Sequence, residues 1–109
     1  MYCLLVLLLA LTGAVVNLGC AQRRLHHKES NLREALFLIR SEIAQFTVDK
    51  QQPPTSLTEL VTGGYMKEIP VDPFTGKNDT WKTQKRTNSL QVHSGSSAIA
   101  SDGTSYSSW

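Results

Sequence analysis

The carboxylates of Asp72, Asp79 and Asp102 are the side chains in this sequence whose type and setting could support chemistry. Asp72 stands in the stretch IPVDPFTGKNDTW, residues 69–81, where a proline and then a threonine-glycine pair follow it. This order is typical of a tight turn in which an aspartate accepts hydrogen bonds from backbone amides. The alternative is oxygen ligation of calcium, for which several carboxylates and carbonyls must converge from separate loops, since no EF-hand loop is present.

Catalysis needs a nucleophile, a base and a group that orients the base. No serine occurs in a G-x-S-x-G context, and His93 and Ser94 are neighbours in sequence, which is the wrong geometry for a base to serve that serine. His26 and His27 point about 100° apart on a helix and cannot easily share one metal ion. A phosphate loop, a pair of catalytic acids and a C-x-x-C motif are also missing. The sequence therefore predicts a protein that is not an enzyme.

The composition predicts one small domain behind an apolar segment. The chain has 109 residues and a formal net charge of +2, which is too weak to predict nucleic-acid binding, because that requires a clustered basic face. Both cysteines, Cys3 and Cys20, lie in the apolar segment 1–20, so residues 21–109 hold no disulfide or cysteine metal site. The predicted organisation is a membrane anchor or signal-like segment at 1–20 and a globular domain at 21–109.

The apolar segment 1–20 admits three interpretations. About twenty uncharged residues are enough to cross a bilayer as a helix, whereas a secretory signal peptide normally begins with basic residues that are absent here. An apolar run ending in Leu18, Gly19 and Cys20 resembles a bacterial lipoprotein cleavage site with Cys20 as the lipidated residue, although Asn17 replaces the preferred aliphatic side chain. Otherwise Cys20 is a small apolar residue at a helix end. We expect the domain to be tethered to a membrane.

From residue 23 to about residue 48, apolar residues recur every three or four positions, which predicts one long amphipathic helix. Its packing stripe consists of Leu32, Leu36, Ile39, Ile43 and Phe46. The proline pair at 53–54 ends this helix. Ser56 and Glu59 then form a capping box that opens a short second helix, and the glycine pair at 63–64 ends it.

Two short strands follow, at 80–86 and 89–93. Their predicted buried members are Trp81, Leu90 and Val92. The tail at 94–109 is rich in serine and glycine, but its large apolar residues predict that it folds back onto the domain. These residues are Ile99, Tyr106 and Trp109. The predicted fold class is α+β, with a long helix packed on a small antiparallel sheet and a short second helix.

The stretch 69–81 is interpreted as a rigid bracket between helix and sheet rather than as an active site. Its prolines fix φ, its threonine-glycine pair forms a turn, and its first aspartate ties down backbone amides. Phe74 and Trp81 are expected to pin the loop to the long helix. The residues assigned to this structural role are Asp72, Pro73, Thr75, Gly76 and Trp81, together with Trp109 in the tail.

An ordered series of motifs runs along the domain. It comprises LREAL at 32–36, PTSL at 54–57, GY at 64–65, IPVDPFTG at 69–76, VHSGS at 92–96 and DGTSYSSW at 102–109. In this order and at these spacings, residues 22–109 resemble the major pseudopilins of bacterial type II secretion. More narrowly, they resemble a short pseudopilin-like branch whose tail reads DGT-x-Y-S-x-W.

The resemblance implies a type IV pilin-like fold, with the long N-terminal helix half in the membrane and half packed on the sheet. It also implies self-association into a filament through the apolar helix halves, with other pseudopilins and secretion-machine proteins as partners. Such a filament supports protein export from the bacterial inner membrane, the domain lies in the periplasm, and no catalysis is assigned to the subunit. Members of the family bind calcium through aspartates in the C-terminal loop, and here only Asp102 lies in the matching region.

The N-terminus departs from the family pattern. The basic leader, the glycine cleavage site and the glutamate at the fifth mature position are missing from residues 1–20. Either the sequence starts inside the natural chain, or another anchor such as lipidation at Cys20 has replaced filament processing. The alternative function is therefore a non-polymerising, membrane-anchored periplasmic lipoprotein that keeps the pseudopilin domain as an accessory or binding module.

Overall fold

The computed structural model describes residues 22–109. Helix α1 has the bounds Tyr2–Lys50, so its described part begins at residue 22. All five residues of the predicted packing stripe are buried, and they form one cluster with apolar residues from the rest of the domain. The helix ends where Gln51 adopts a left-handed φ of 59°, and the proline pair at 53–54 cannot continue its hydrogen-bond ladder.

Helix α1 packs against a two-stranded antiparallel sheet and a short second helix, which is the α+β arrangement that the sequence predicts. Strand β1 spans Lys82–Lys85 and strand β2 spans Leu90–His93, with the first residue of β1 opposite the last residue of β2. Leu90 and Val92 are buried, whereas every residue of β1 is exposed. Strand β2 is therefore the one that supplies the core, and it contacts α1 directly.

Both strands are shorter than the predicted segments 80–86 and 89–93. At the hairpin end, the amide of Arg86 donates to the carbonyl of Ser89 at 2.8 Å, which closes the turn just beyond the paired residues. At the other end, Trp81 is buried but lies outside the ladder, and its indole is hydrogen-bonded to the preceding loop.

Helix α2 spans Thr58–Thr62, and the capping box predicted for it is wrong. Leu57 occupies the cap position and makes no side-chain cap bond. The Glu59 carboxylate accepts hydrogen bonds from the amide and the hydroxyl of Thr55. Leu57 belongs to the buried core, and Ser56 lies one residue before the cap position.

The glycine pair at 63–64 ends α2, as the sequence predicts. Gly64 has a φ of 81°, a left-handed conformation that is accessible to glycine because it has no Cβ. The chain then reverses, and the amide of Tyr65 donates to the carbonyl of Leu60 at 2.9 Å. This reversal brings Tyr65 to the aromatic ring of Phe46 on α1, with the ring centroids 5.3 Å apart.

The tail at 94–109 folds back onto the domain, as predicted, and includes a 3₁₀ turn at Tyr106–Ser108. The buried residues of the tail include Ala100 and Tyr106, but Ile99 is 65% exposed, contrary to expectation. Side chains alternate in an extended segment, and Ile99 forms an isolated β-bridge. Since Ala100 takes the inward position, Ile99 faces outward.

Within residues 22–109, no helix is both long enough and apolar enough to cross a membrane. The predicted anchor at 1–20 lies outside the described residues. The three interpretations of that segment, a membrane span, a secretory signal peptide and lipidation at Cys20, stay predictions.

Candidate functional site

Asp72 lies in the loop at 69–81, and its side chain is fully buried. Its Oδ1 accepts a hydrogen bond from the amide of Phe74 at 2.9 Å, and its Oδ2 accepts from the hydroxyl of Ser94 at 2.6 Å and from the amide of Gly95 at 3.0 Å. Two of these three are bonds to backbone amides, as the turn pattern predicts. The carboxylate therefore ties the loop to the chain just after β2 and is not presented to solvent as a base or a ligand.

The backbone around Asp72 forms a closed turn. The carbonyl of Asp72 accepts a hydrogen bond from the amide of Gly76 at 2.8 Å. Gly76 has a φ of 72°, which disfavours any residue with a Cβ, while Pro73 has a φ fixed by its ring. The hydroxyl of Thr75 lies 2.6 Å from the hydroxyl of Thr80 and so bridges the two arms of the loop. The turn is thus held at several points.

Two aromatic rings hold the loop against its surroundings. The indole N–H of Trp81 donates to the carbonyl of Pro70 at 2.8 Å, so this ring closes the loop on itself. Phe74 stacks on Tyr106 with ring centroids 3.9 Å apart and an interplanar angle of 20°. Both rings were expected to attach the loop to α1, but Phe74 stacks on Tyr106 of the tail.

The structure adds Glu29, a residue that the sequence analysis does not single out. Its side chain is only 2% exposed. Its Oε1 accepts hydrogen bonds from the amide of Ser101 and the hydroxyl of Tyr106, both at 2.8 Å, and its Oε2 accepts from the hydroxyl of Ser101 at 2.6 Å. Helical spacing could have identified Glu29 from the sequence, because it precedes Leu32 by three positions and continues the packing stripe.

The contacts between Glu29 and the tail shift two pKa values in opposite directions. The hydrogen bond from the Ser101 hydroxyl is the main cause that holds the pKa of Glu29 below its ordinary value of 4.5, against the opposing effect of burial. Burial, followed by the hydrogen bond to Glu29, raises the pKa of Tyr106 to about 12. At neutral pH the pair is thus a carboxylate and a neutral phenol, which gives a charge-assisted hydrogen bond.

Trp109 is the meeting point of a second group of tail contacts. The Nη2 of Arg40 donates to the main-chain oxygen of Trp109 at 2.7 Å and to the carbonyl of Val92 at 3.0 Å. The Nδ1 of His93 lies 2.7 Å from the same Trp109 oxygen. The guanidinium of Arg33 lies over the indole ring, 4.5 Å from its centroid, in a cation–π contact. Both α1 and β2 therefore hold the tail at this point.

Asp102, the predicted calcium ligand, is exposed in a turn of the tail. Its Oδ1 accepts hydrogen bonds from the amide and the hydroxyl of Thr104 at 3.0 and 2.6 Å, and these bonds lower the pKa of the Asp102 carboxyl. Among residues 22–109, no group of three or more His, Cys, Asp or Glu side chains is arranged to hold a metal ion. The contacts shown for Asp102 are those of a residue that shapes its own turn.

An open groove of about 570 Å³ lies between α1 and Trp109. Its lining residues are Arg33, Leu36, Phe37, Arg40, Ser41, Ala44 and Trp109. Phe37 is 75% exposed, and two further apolar residues of α1, Leu38 and Val48, are 45% and 66% exposed. Leu25 of α1 is also exposed, at 37%. Phe37 and Leu38 are consecutive and point about 100° apart, whereas Phe37 and Val48 lie on the same side of the helix. Phe37 and Val48 are here called the exposed helix face.

Comparison of the chain with protein-family models, with curated proteins and with solved structures found no match. The pseudopilin resemblance therefore rests on the motifs of residues 22–109. In the described part of the chain, every buried side-chain nitrogen and oxygen has a hydrogen-bond partner. The arrangement at Asp72 and Glu29 is thus suited to fixing segments of the chain to one another.

Proposed function

We propose that this chain is a structural, non-catalytic subunit similar to the pseudopilins of type II secretion, which assembles with copies of itself into a filament that supports protein export. The observation that carries the proposal is the distribution of buried and exposed apolar side chains around α1. One face of the helix is buried by its own domain, and large apolar side chains on the rest of its surface stay exposed. In this proposal the domain lies in the periplasm and α1 is anchored in the inner membrane.

The exposed helix face supports packing between copies. A helix that only covers its own domain normally has one apolar stripe and a polar remainder. Here Phe37 and Val48 are 75% and 66% exposed although both are large and apolar. Burial of such side chains against a neighbouring subunit would stabilise the contact by about 25 cal/mol per Å² of apolar area.

The buried polar side chains support a structural role. Glu29, Asp72 and Ser94 are buried, and each forms hydrogen bonds with other parts of the same domain. Groups that served in catalysis would need an open position toward a substrate. These three are instead used to hold the tail and the loop at 69–81 in place.

The proposal is tested by measuring self-association of the full chain, in mild detergent, by analytical ultracentrifugation. Phe37→Ser and Val48→Ser are expected to shift the distribution toward the monomer. Ile99→Ser is the matched control, because Ile99 is also apolar and 65% exposed but lies on the tail instead of on α1. A wild-type chain that is monomeric at all concentrations, or an equal effect of all three substitutions, would overturn the filament proposal.

Mass spectrometry of the mature protein separates the filament subunit from the accessory lipoprotein. A mature chain that begins with a lipidated Cys20 would lack residues 1–19, the apolar helix half to which the pseudopilin resemblance assigns packing between subunits, and it would exclude the filament. A mature chain that begins upstream of Met1 with an N-methylated residue would exclude the lipoprotein.

A further inference from the structure

The tail contains a loop at 98–106 that is held together by its own hydrogen bonds, and it is here called the tail loop. The amide of Ala100 donates to the carbonyl of Thr104 at 2.6 Å, and the amide of Tyr106 donates to the carbonyl of Ala98 at 3.0 Å. The side chain of Asp102 accepts two further bonds from Thr104. These bonds do not involve α1, so the tail loop can keep its shape when its distance from the helix changes.

The polar attachment of the tail loop to α1 converges on one carboxylate. Glu29 accepts the amide and hydroxyl of Ser101 and the hydroxyl of Tyr106, at 2.6 to 2.8 Å. Each of these bonds is charge-assisted while Glu29 is ionised, and charge-assisted hydrogen bonds are about twice as strong as neutral ones. The amide oxygen of a glutamine could still accept from the Ser101 amide and the Tyr106 hydroxyl, but its nitrogen cannot accept from the Ser101 hydroxyl, so it would hold the tail loop less firmly.

The segment that follows the tail loop has separate attachments. The main-chain oxygen of Trp109 accepts from Arg40 at 2.7 Å and lies 2.7 Å from Nδ1 of His93. None of these contacts involves Glu29. Loss of the attachment at Glu29 would therefore leave the far end of the tail in place. For the tail loop to move away from α1, the 2.8 Å bond from the Trp109 indole N–H to the Thr104 hydroxyl and the stack of Phe74 on Tyr106 must also break.

We propose that the tail loop opens from α1 as a unit, and that the charge on Glu29 sets how often it opens. Opening separates Ala100 and Tyr106 from the buried cluster that also contains Leu32 and Leu36, so it uncovers apolar surface on α1. The proposal does not depend on self-association, because all of these contacts lie within one chain.

The ionisable groups around Glu29 favour its charged form. On α1, His26 lowers the pKa of Glu29 electrostatically, and on the tail Tyr106 donates a hydrogen bond to Glu29. The charge of Asp102 raises the pKa of Tyr106, and the charge of Arg33 on α1 lowers the pKa of Asp102. With the pKa of Glu29 lowered in the folded chain, its stabilising effect is complete above pH 4.5 and is lost as the pH falls through the lowered value.

The test is residue-resolved amide hydrogen exchange of the full chain by NMR, in mild detergent, for the wild type and for Glu29→Gln. At neutral pH, Glu29→Gln is expected to speed exchange of the Ser101 amide by about tenfold, the difference between a charge-assisted and a neutral attachment. The amides of Ala100 and Tyr106 are expected to stay protected, because their bonds lie inside the tail loop. As the pH falls through the lowered pKa of Glu29, the wild type should approach the variant.

Two outcomes would overturn the proposal. Unchanged exchange of the Ser101 amide in Glu29→Gln would show that the charge does not control opening. Equal acceleration of the Ser101, Ala100 and Tyr106 amides would show that the tail melts instead of opening as a unit. Glu59→Gln is the matched control, since Glu59 also has a lowered pKa but binds Thr55, and it is expected to leave the Ser101 amide unchanged.

Discussion

Replacement of Asp72 by alanine is expected to destabilise the domain by about 3–5 kcal/mol. The carboxylate is fully buried and accepts three hydrogen bonds, two from the amides of Phe74 and Gly95 and one from the hydroxyl of Ser94. Alanine leaves these donors buried without an acceptor, and each such group costs roughly 1–3 kcal/mol. The Ser94 hydroxyl can rotate toward another partner, so the lower part of that range applies to it.

Replacement of Asp72 by asparagine separates the loss of an acceptor from the loss of volume. The amide group has nearly the same shape, but its nitrogen must face either the Phe74 amide or the Gly95 amide, and two N–H groups then oppose each other. The expected loss of stability is about 2–3 kcal/mol. Asp79→Asn is the matched control, because Asp79 is exposed, and its effect should stay within about 0.5 kcal/mol.

The assay is urea unfolding of the full chain in mild detergent, followed by tryptophan fluorescence, with the thermal midpoint as a second measurement. A loss of 3 kcal/mol corresponds to a fall of roughly 12–24 °C for a domain of this size. The reasoning is refuted if Asp72→Ala moves the urea midpoint no further than Asp79→Ala does. An unchanged slope of the unfolding free energy against urea concentration would show that the variants differ in stability and not in the surface exposed on unfolding.

Three further substitutions test other contacts by the same unfolding measurements. Tyr106 has a pKa raised from 10.0 to about 12, so its neutral phenol stabilises the fold below pH 10 and this contribution is lost as the pH rises through 12. Tyr106→Phe should remove that alkaline loss of stability, and an unchanged dependence of stability on pH would contradict the assignment. Gly95→Ala would place a Cβ 2.2 Å from the carbonyl oxygen of Thr80, and a loss of about 3 kcal/mol is expected, whereas a neutral effect would show that the backbone moves freely there. Trp81→Phe removes the indole N–H that donates to the carbonyl of Pro70, and a loss of stability of about 1–2 kcal/mol is expected. No loss would show that water replaces the indole as the donor.

The sequence was sufficient for the parts of the fold that depend on neighbouring residues. The packing stripe follows from helical periodicity, and the end of α2 follows from a glycine that can adopt a left-handed φ. Asp72 was recognised because its bond to Phe74 spans only two residues. Its bonds to Ser94 and Gly95 span 22 and 23 residues, and no local pattern indicates which distant donors will meet a given carboxylate.

Glu29 shows why the second buried carboxylate was not recognised. A glutamate between Lys28 and Ser30, with two histidines just before Lys28, has the composition of a solvated helix face. Its position on the packing stripe argued for burial, but burial of a charge requires partners, and its partners Ser101 and Tyr106 lie 72 and 77 residues away. The tail that carries them is rich in serine and glycine, so its sequence alone gave no indication of that contact.

The long separation of these contacts has a consequence for the synthesis of the protein. Glu29 and Tyr106 are 77 positions apart, and Arg40 and Trp109 are 69 positions apart. The domain therefore cannot close while the tail is still inside the ribosome, although α1 emerges first. During that interval Leu32 and Leu36 lack the part of the core that the tail supplies, and exposed apolar surface of this kind makes a nascent chain prone to aggregation. We expect this domain to complete its folding only after the tail has left the ribosome.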